Sequence, residues 1–439
     1  MSNLQQLTDL FSFLKEFINY RVHSEVLHSE YSYPQLVLNP ESSFLQNFIL
    51  DKQLKEGDIL ALSLAIVPHV LPQFIENTFL DAIERQELVN EFGGVRGKQH
   101  LGILPTGEML LFLLAGSDLQ GRLKVMSYFS FESRLFRENT LRLEYITDGE
   151  PGWSGKLVVD EELLEMMTVG KVRKPKMGSD FPAQLLETGL NWDNLVLQPK
   201  TKTQIREIET WLDYNEFIMN EWGLKNKVKP GLRALFYGPP GTGKTLTVSL
   251  LGKYTGRDVY RVDLSLIVSK YIGETEKNLA RLFDKAADKD WILFFDEADS
   301  IFGKRTGVRD AHDKYANQEV SYLLQRIETH SGLVILASNQ KHNIDVAFTR
   351  RFQFMIEFEA PGEQERLLLW KDNFPSQVQI QKEISLRELA KRYELTGANI
   401  VNIIQYACLK TAAEEKSTIE LSHIMTGIRR EYSKEGKLM

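Results

Sequence analysis

Three observations predict an α/β fold built on a parallel sheet. From Asp193 to Phe358, short apolar runs alternate with helical stripes. After Pro361 only helical stripes remain. Between the first of these strands and the helix after it lies the octapeptide GPPGTGKT, Gly238 to Thr245. The alternation implies strands joined by crossover helices, and the loss of strands implies a helical lid. Residues 1–170, where helical and alternating patterns mix, imply a mixed α/β accessory domain that binds a partner.

The elements follow in order. Leu4, Leu7, Phe11, Leu14 and Ile18 recur at steps of three and four and predict one apolar face on an N-terminal helix, docked on its own domain. Gly57 to Leu71 and Phe74 to Ile83 read as helices; Leu141 to Ile146 and Lys156 to Asp160 alternate like a hairpin. GKVRKPKMGSDFP, Gly170 to Pro182, has the composition of a connector, so residues 171–190 are read as a linker. Residues 191–360 form the predicted sheet domain, with strands at Ala234 to Tyr237, Asp258 to Val262, Trp291 to Asp296, Leu333 to Ala337 and Phe354 to Phe358. Leu279, Leu282, Phe283 and Ala286 share one face of a connecting helix, and Val320, Leu323, Leu324 and Ile327 share one face of another. Residues 361–439 form the lid, with stripes at Ile400, Ile403, Ile404, Ala407 and at Leu421, Ile424, Met425, Ile428.

Composition narrows the class. With 439 residues, 43% hydrophobic and 26% charged, the chain supports two or three ordinary globular domains. Its 60 acidic against 53 basic residues give a net charge of −7, which argues against nucleic acid as a partner. Cys408 is the sole cysteine, so no internal disulfide forms, which suits a reducing cytoplasm. Ile59 to Leu71, the longest apolar stretch, is too short to cross a membrane, and MSNLQQLTDLF has no basic leader. Neither membrane insertion nor secretion is expected.

GPPGTGKT fits G-x-x-x-x-G-K-[ST], a loop whose backbone N–H groups wrap phosphates at a helix N-terminus. Gly238, Pro239, Pro240, Gly241, Thr242, Gly243, Lys244, Thr245 and Leu246 are the candidate nucleotide contacts, with Lys244 reaching the β and γ oxygens and Thr245 a ligand to Mg²⁺. Asp296, at the end of Ile292 to Phe295 and 51 positions after Thr245, would hold the same ion. Glu297 would orient and deprotonate the attacking water. The string Asp296-Glu297-Ala298-Asp299 also names a class of RNA helicases, but the 100 residues after Asn339 are too few for their second α/β core.

Ser338 and Asn339 close the fourth strand, and Arg350 and Arg351 follow in IDVAFTRRF. Here the chain closely resembles the AAA branch of the AAA+ ATPases, over about Asn191 to Ser433. The resemblance implies an AAA+ P-loop core, ATP and Mg²⁺ as cofactors, a homohexameric ring and a protein substrate. By it, Asn339 senses the γ-phosphate, and Arg350 and Arg351 are arginine fingers for the neighbouring subunit. Common members have two residues more between these arginines, so which one reaches the phosphate stays open. Lys270, Tyr271, Ile272 and Gly273 match the pore loop that grips substrate, and Arg309 and His312 fall where a second pore loop lies. Asp193, Asn194 and Leu195 of NWDNLV match the segment beside adenine, and Gly397 and Ala398 the lid position nearest the phosphates; Asn399 stands where an acidic residue is usual. No His-Glu-x-x-His is present, against the metalloproteases of the superfamily.

A closer resemblance, carried by IFGKRT, DAHDKYANQEVSYLLQRIE, NIDVAFTRRF and IRREYSKEGK, is to bacterial AAA proteins encoded with phage-tail-like contractile injection systems. It implies an ATP-driven ring that remodels or threads a protein partner. The other reading is an assembly factor that locks a structure on nucleotide binding without threading.

Overall fold

The structure, a computed structural model, describes residues 2–36, 44–83, 92–146, 149–178, 181–267, 274–287, 289–299, 311–339 and 349–437, with the side chains of residues 2, 226 and 311–317 outside that description. The chain divides into two compact units, Met1–Lys174 and Pro175–Met439.

In the first unit, α1 (Ser2–Glu25) buries Leu7, Phe11, Leu14 and Ile18. Leu4 departs from the predicted stripe: it is 75% exposed, and in that turn Asn3 makes the contact instead, donating to the Met166 carbonyl at 3.2 Å. After α2 (Phe44–Lys52), α3 (Glu56–Val70) is buried along most of its length, and it meets α4 (Phe74–Ile83) at 109°. No single described helix is long and apolar enough to cross a membrane. The one buried carboxylate of α3, Asp58, is satisfied by the Lys55 backbone N–H at 3.0 Å, the Ser133 hydroxyl at 2.6 Å and the Tyr128 hydroxyl, as a charge removed from water requires. A small antiparallel pair, β1 (Val95–Arg96) with β2 (Ile103–Leu104), precedes α5 (Gly107–Ala115), α6 (Leu119–Ser127) and α7 (Arg134–Arg137). The hairpin forms between β3 (Leu141–Leu143) and β4 (Leu157–Val159), with shorter arms than the alternation suggests, and α8 (Glu161–Thr168) closes the unit.

The second unit opens with a strand that the linker composition hides. Within residues 175–190, Phe181 and Ala183 are buried, and β5 (Ala183–Leu185) pairs antiparallel with β7 (Val259–Val262). The segment read as connector therefore borders the sheet. α9 (Pro199–Asn220) begins on a proline at its first turn, where no N–H is needed. Then come β6 (Leu232–Tyr237), α10 (Lys244–Thr255), α11 (Leu264–Ile267), α12 (Glu274–Ala286), β8 (Ile292–Phe295), α13 (Ala311–Thr329), β9 (Leu333–Ser338) and β10 (Phe354–Glu357). Strand order is β10-β6-β9-β8-β7-β5, parallel throughout except for β5.

Alternation along each strand divides the core into two layers. Leu235, Tyr260, Leu293, Phe295 and Leu336 pack with Leu279, Leu282 and Phe283 of α12 and Leu323, Leu324 and Ile327 of α13. Ala234, Phe236, Phe294 and Ile335 pack on the other face with Ile205, Ile208 and Leu212 of α9 and Val248 and Leu251 of α10. Both faces are thus covered, which is why β6, β8 and β9 read as unbroken apolar runs.

The lid comprises α14 (Glu363–Asn373), α15 (Leu386–Arg392), α16 (Gly397–Ala413) and α17 (Leu421–Lys434). Trp370, Ile400, Ile403, Ile404, Ala407, Ile424 and Ile428 form its core, while Leu421 of the predicted stripe is exposed. It is not purely helical: β11 (Gln379–Ile380) and β12 (Thr418–Ile419) form a two-residue parallel pair that ties the α14–α15 connection to the α16–α17 connection.

One buried group sets a pH dependence. His330 follows α13, packs edge-on against Phe283, and has no partner for Nε2 among the described residues. Burial, helped by Arg233 and Arg326, pushes its pKa down to about 4. The folded state therefore keeps the ring neutral where the unfolded chain would bind a proton. Stability is full above the ordinary histidine pKa and should decline by roughly 3 kcal/mol as pH falls from about 6.5 to 4. Urea midpoints measured across that range should flatten in His330→Gln; an equal slope in the variant would assign the loss to other groups.

Candidate active site

The carboxyl ends of β6, β8 and β9 converge on one cleft of about 490 Å³, within the usual range for a small-molecule site. The turn after β6 is set by glycine. Gly238 has φ 145°, and a Cβ there would lie 2.1 Å from the Phe358 carbonyl oxygen, so only glycine lets the loop leave the strand beside β10. Gly241, at φ 76°, accepts from the Ala398 N–H at 3.2 Å, and a Cβ on it would meet Ala398 at 2.7 Å. The loop is thereby in direct contact with the first turn of α16, which Thr396 and Asn399 cap reciprocally. Asn399 also donates to buried Glu431 at 3.0 Å, where a second carboxylate would repel.

Lys244 opens α10 and is buried, its Nζ donating to the Gly238 carbonyl at 2.7 Å, the Pro239 carbonyl at 2.9 Å and Asn339 Oδ1 at 3.2 Å. Burial pulls its pKa down, and Asp296 and Asp299 oppose the shift. The Thr245 hydroxyl donates to Asp296 Oδ2 at 3.4 Å, joining α10 to the end of β8. Glu297 lines the same cleft with φ 52°, a left-handed conformation that costs a bulky residue on the order of 1 kcal/mol and clusters at functional sites. Asn339 reaches the cleft from β9, its N–H 3.5 Å from Asp299 Oδ1.

Pro240 through Leu246, Asp296, Glu297, Asn339, Asn194, Leu195, Gly397 and Ala398 all line the cleft. Gly238 and Pro239 shape the loop behind Lys244 without lining it, and Asp193 lies exposed in the turn Trp192–Asn194. Reading the sequence placed Val196 of NWDNLV here but missed Leu369 and Val401, which complete the apolar end of the cleft with Leu195. It also missed Thr201, whose hydroxyl donates to the Glu357 carbonyl at 2.8 Å and pins α9 to β10.

Arg350 and Arg351 are not brought to this cleft. They precede β10, whose first residue Phe354 is in register with Ala234 near the start of β6, whereas the loop follows Tyr237 at its end. Lys270 to Gly273 and Arg309 lie outside the described residues, and so does the side chain of His312.

Sheet order, loop and cleft define a phosphate-loop nucleoside-triphosphatase fold. Residues 234–360 match the model of the ATPase family associated with various cellular activities, AAA, so this segment is an AAA ATPase domain. Similar proteins include Protein CdcH of Halobacterium salinarum, 29% identical over 233 residues, 52% of this chain and 31% of that protein. Cell division protein C of Sulfolobus acidocaldarius is 30% identical over 240 residues, 51% of this chain and 63% of its own. The 26S proteasome regulatory subunit S10B homolog B of Arabidopsis thaliana is 30% identical over 236 residues, 52% and 58% respectively. The chain spans less than two thirds of the length of each of these relatives.

Proposed function

We propose that this chain hydrolyses ATP as a homohexameric ring and uses the energy to remodel or thread a protein partner. One observation carries the reading. Lys244, Thr245, Asp296, Glu297 and Asn339 meet at the carboxyl edge of the sheet, while Arg350 and Arg351 stand at its amino edge. Five strand steps of about 3.3 Å make this gap roughly 17 Å. A chain cannot carry its own arginines to its own cleft, so a second copy supplies them.

Lys244 binds the β and γ oxygens, and the α10 N-terminus adds its N–H groups. The donor set suits Mg²⁺: the Thr245 hydroxyl and Asp296 carboxylate are adjacent, and phosphate and water oxygens would fill the remaining octahedral positions. The ion, when bound, neutralises phosphate charge. Glu297 takes the proton of the attacking water, Asn339 orients that water, and an arginine of the neighbouring copy stabilises the charge that develops. Val196, Leu369 and Val401, together with Asn194 and Leu195, take the base.

Tyr271, with Lys270, Ile272 and Gly273, is the proposed substrate grip, and residues 1–170 select the partner. Relatives named as a proteasome regulatory subunit and a cell division protein favour a protein partner over nucleic acid. The sequence resemblance to proteins of contractile injection systems suggests a component of such an apparatus, handled in the cytoplasm. Tyr271→Ala is expected to abolish partner remodelling while ATP turnover stays within about threefold of the parent, because an aromatic side chain grips by buried area and takes no part in phosphoryl transfer. Remodelling that survives Tyr271→Ala but not Lys244→Ala would replace threading with a nucleotide-gated locking role.

A further inference from the structure

The helix that follows the phosphate loop is touched at both ends by one short segment. Lys253, in the last turn of α10, donates from Nζ to the Leu190 carbonyl at 2.7 Å and to Asn191 Oδ1 at 2.8 Å. The Tyr254 hydroxyl donates to the same Oδ1 at 3.3 Å, and the Tyr254 ring lies against Trp192, with centroids 5.9 Å apart. Trp192 in turn packs on the core layer that α9 and α10 share. At the opposite end the segment closes on the loop. A Cβ at Gly243, the residue before α10, would lie 2.7 Å from Leu195 Cδ1.

Between these anchors the segment makes a single turn. The Asn191 N–H donates to Asn194 Oδ1 at 2.9 Å, the Asn191 carbonyl accepts from the Asn194 N–H at 3.0 Å, and the Leu195 N–H donates to the Trp192 carbonyl at 3.1 Å. Where Asn191 sits therefore decides where Asn194, Leu195 and Val196 sit, and those three line the cleft. Lys253 does not line it. It stands nine residues from Lys244, about 14 Å along the helix, so it acts on the cleft only through the segment that it holds. Its ammonium also suits the negative end of α10, which keeps it where it stands. The two halves of the cleft differ in what shapes them. Gly238, Gly241 and Gly243 give the phosphate loop its own geometry, whereas the turn at Trp192–Asn194 depends on side-chain bonds to α10 for its place.

We propose that Lys253, with Asn191 and Tyr254, is a positioning residue that fixes the base end of the cleft at a set span from the phosphate loop, so that α10 measures the nucleotide from base to phosphates. The role rests on the nucleotide-site reading above. In the full chain, Lys253→Ala and Asn191→Leu should each raise KM for ATP by about tenfold, as loss of a bond to a charged group does, with kcat within about twofold of the parent. The double variant should be no worse than the poorer single, since both remove one contact. Asn191→Asp keeps an oxygen opposite Lys253 and should restore the parent KM. Inorganic tripolyphosphate with Mg²⁺, which offers phosphates and no base, should inhibit ATP turnover by the parent and by every variant with the same inhibition constant.

The outcomes are distinguishable. If the inhibition constant of tripolyphosphate rises in step with KM for ATP, the substitutions loosen the whole cleft; the base-positioning role is overturned and the nucleotide site stands. If Lys253→Ala leaves KM unchanged, or Asn191→Asp binds as poorly as Asn191→Leu, the contact between Lys253 and Asn191 does not set the base end. If the parent neither hydrolyses ATP nor binds tripolyphosphate, the nucleotide site itself is wrong, and this role falls with it.

Discussion

Replacing Glu297 with glutamine is expected to leave ATP binding intact and to slow hydrolysis by about 10² to 10⁴-fold, the usual worth of a positioned general base. The amide keeps the size of the side chain and its place in the cleft but cannot take a proton. Binding should survive because the groups proposed to meet the triphosphate are elsewhere, in the loop after β6 and at the start of α10. The backbone agrees with the same assignment: a glutamate held at φ 52° sits against its local preference, as residues at functional sites often do. Single-turnover assays with excess enzyme, set beside equilibrium binding of ATP, separate the two quantities. Turnover within about threefold of the parent would remove Glu297 from the role of base, whatever happened to binding. A slow variant that still holds ATP is expected to trap the proposed protein partner, and a pull-down with it is the direct route to identifying one.

The sheet was legible because its local and tertiary requirements coincide. β6, β8 and β9 are covered on both faces, so their sequences are continuous apolar runs bounded by turn residues, and their limits can be read within a residue or two. GPPGTGKT was legible for another reason: Gly238, Gly241 and Gly243 all have positive φ, so the geometry of the loop is encoded in the residues that form it. What escaped was non-local. β5 is three residues long, and its strand character comes from the free edge of β7 beside it. β11 and β12 are two residues each and far apart in sequence, too short for any period to show.

The same distinction runs through the site. Asp296 and Asn339 announce themselves by residue type at a strand end, and Lys244 by its place in GPPGTGKT. Leu369 and Val401 carry no such mark, since they become part of the cleft only through the docking of α14 and α16 over the loop. Arg350 and Arg351 are identical in type and adjacent in sequence, so nothing local separates them. The ion pair of Arg351 with Glu328 on α13 exists only in the folded chain.

Diluting the protein below the concentration at which copies associate is expected to leave nucleotide binding largely in place and to cut turnover per chain by about 10³-fold or more, the worth of an arginine supplied in trans. The two activities should uncouple because they use different parts of the fold. On the proposed reading binding uses Lys244, Thr245, Asp296 and the apolar end of the cleft, all of which line one cleft within one chain. Completing the charge balance during cleavage needs a guanidinium, and the chain's own arginines are anchored at the opposite edge of the sheet, roughly 17 Å away by strand rise. No side-chain rotation spans that gap, and the ties of Arg351 to Glu328 and of Gln353 to Arg233 oppose moving the turn as a whole. Analytical ultracentrifugation alongside phosphate release, over a series of concentrations, follows association and turnover together. Turnover per chain that stays constant while the sedimenting species becomes a monomer would mean that each cleft is complete alone, and the division of labour between copies would have to be abandoned.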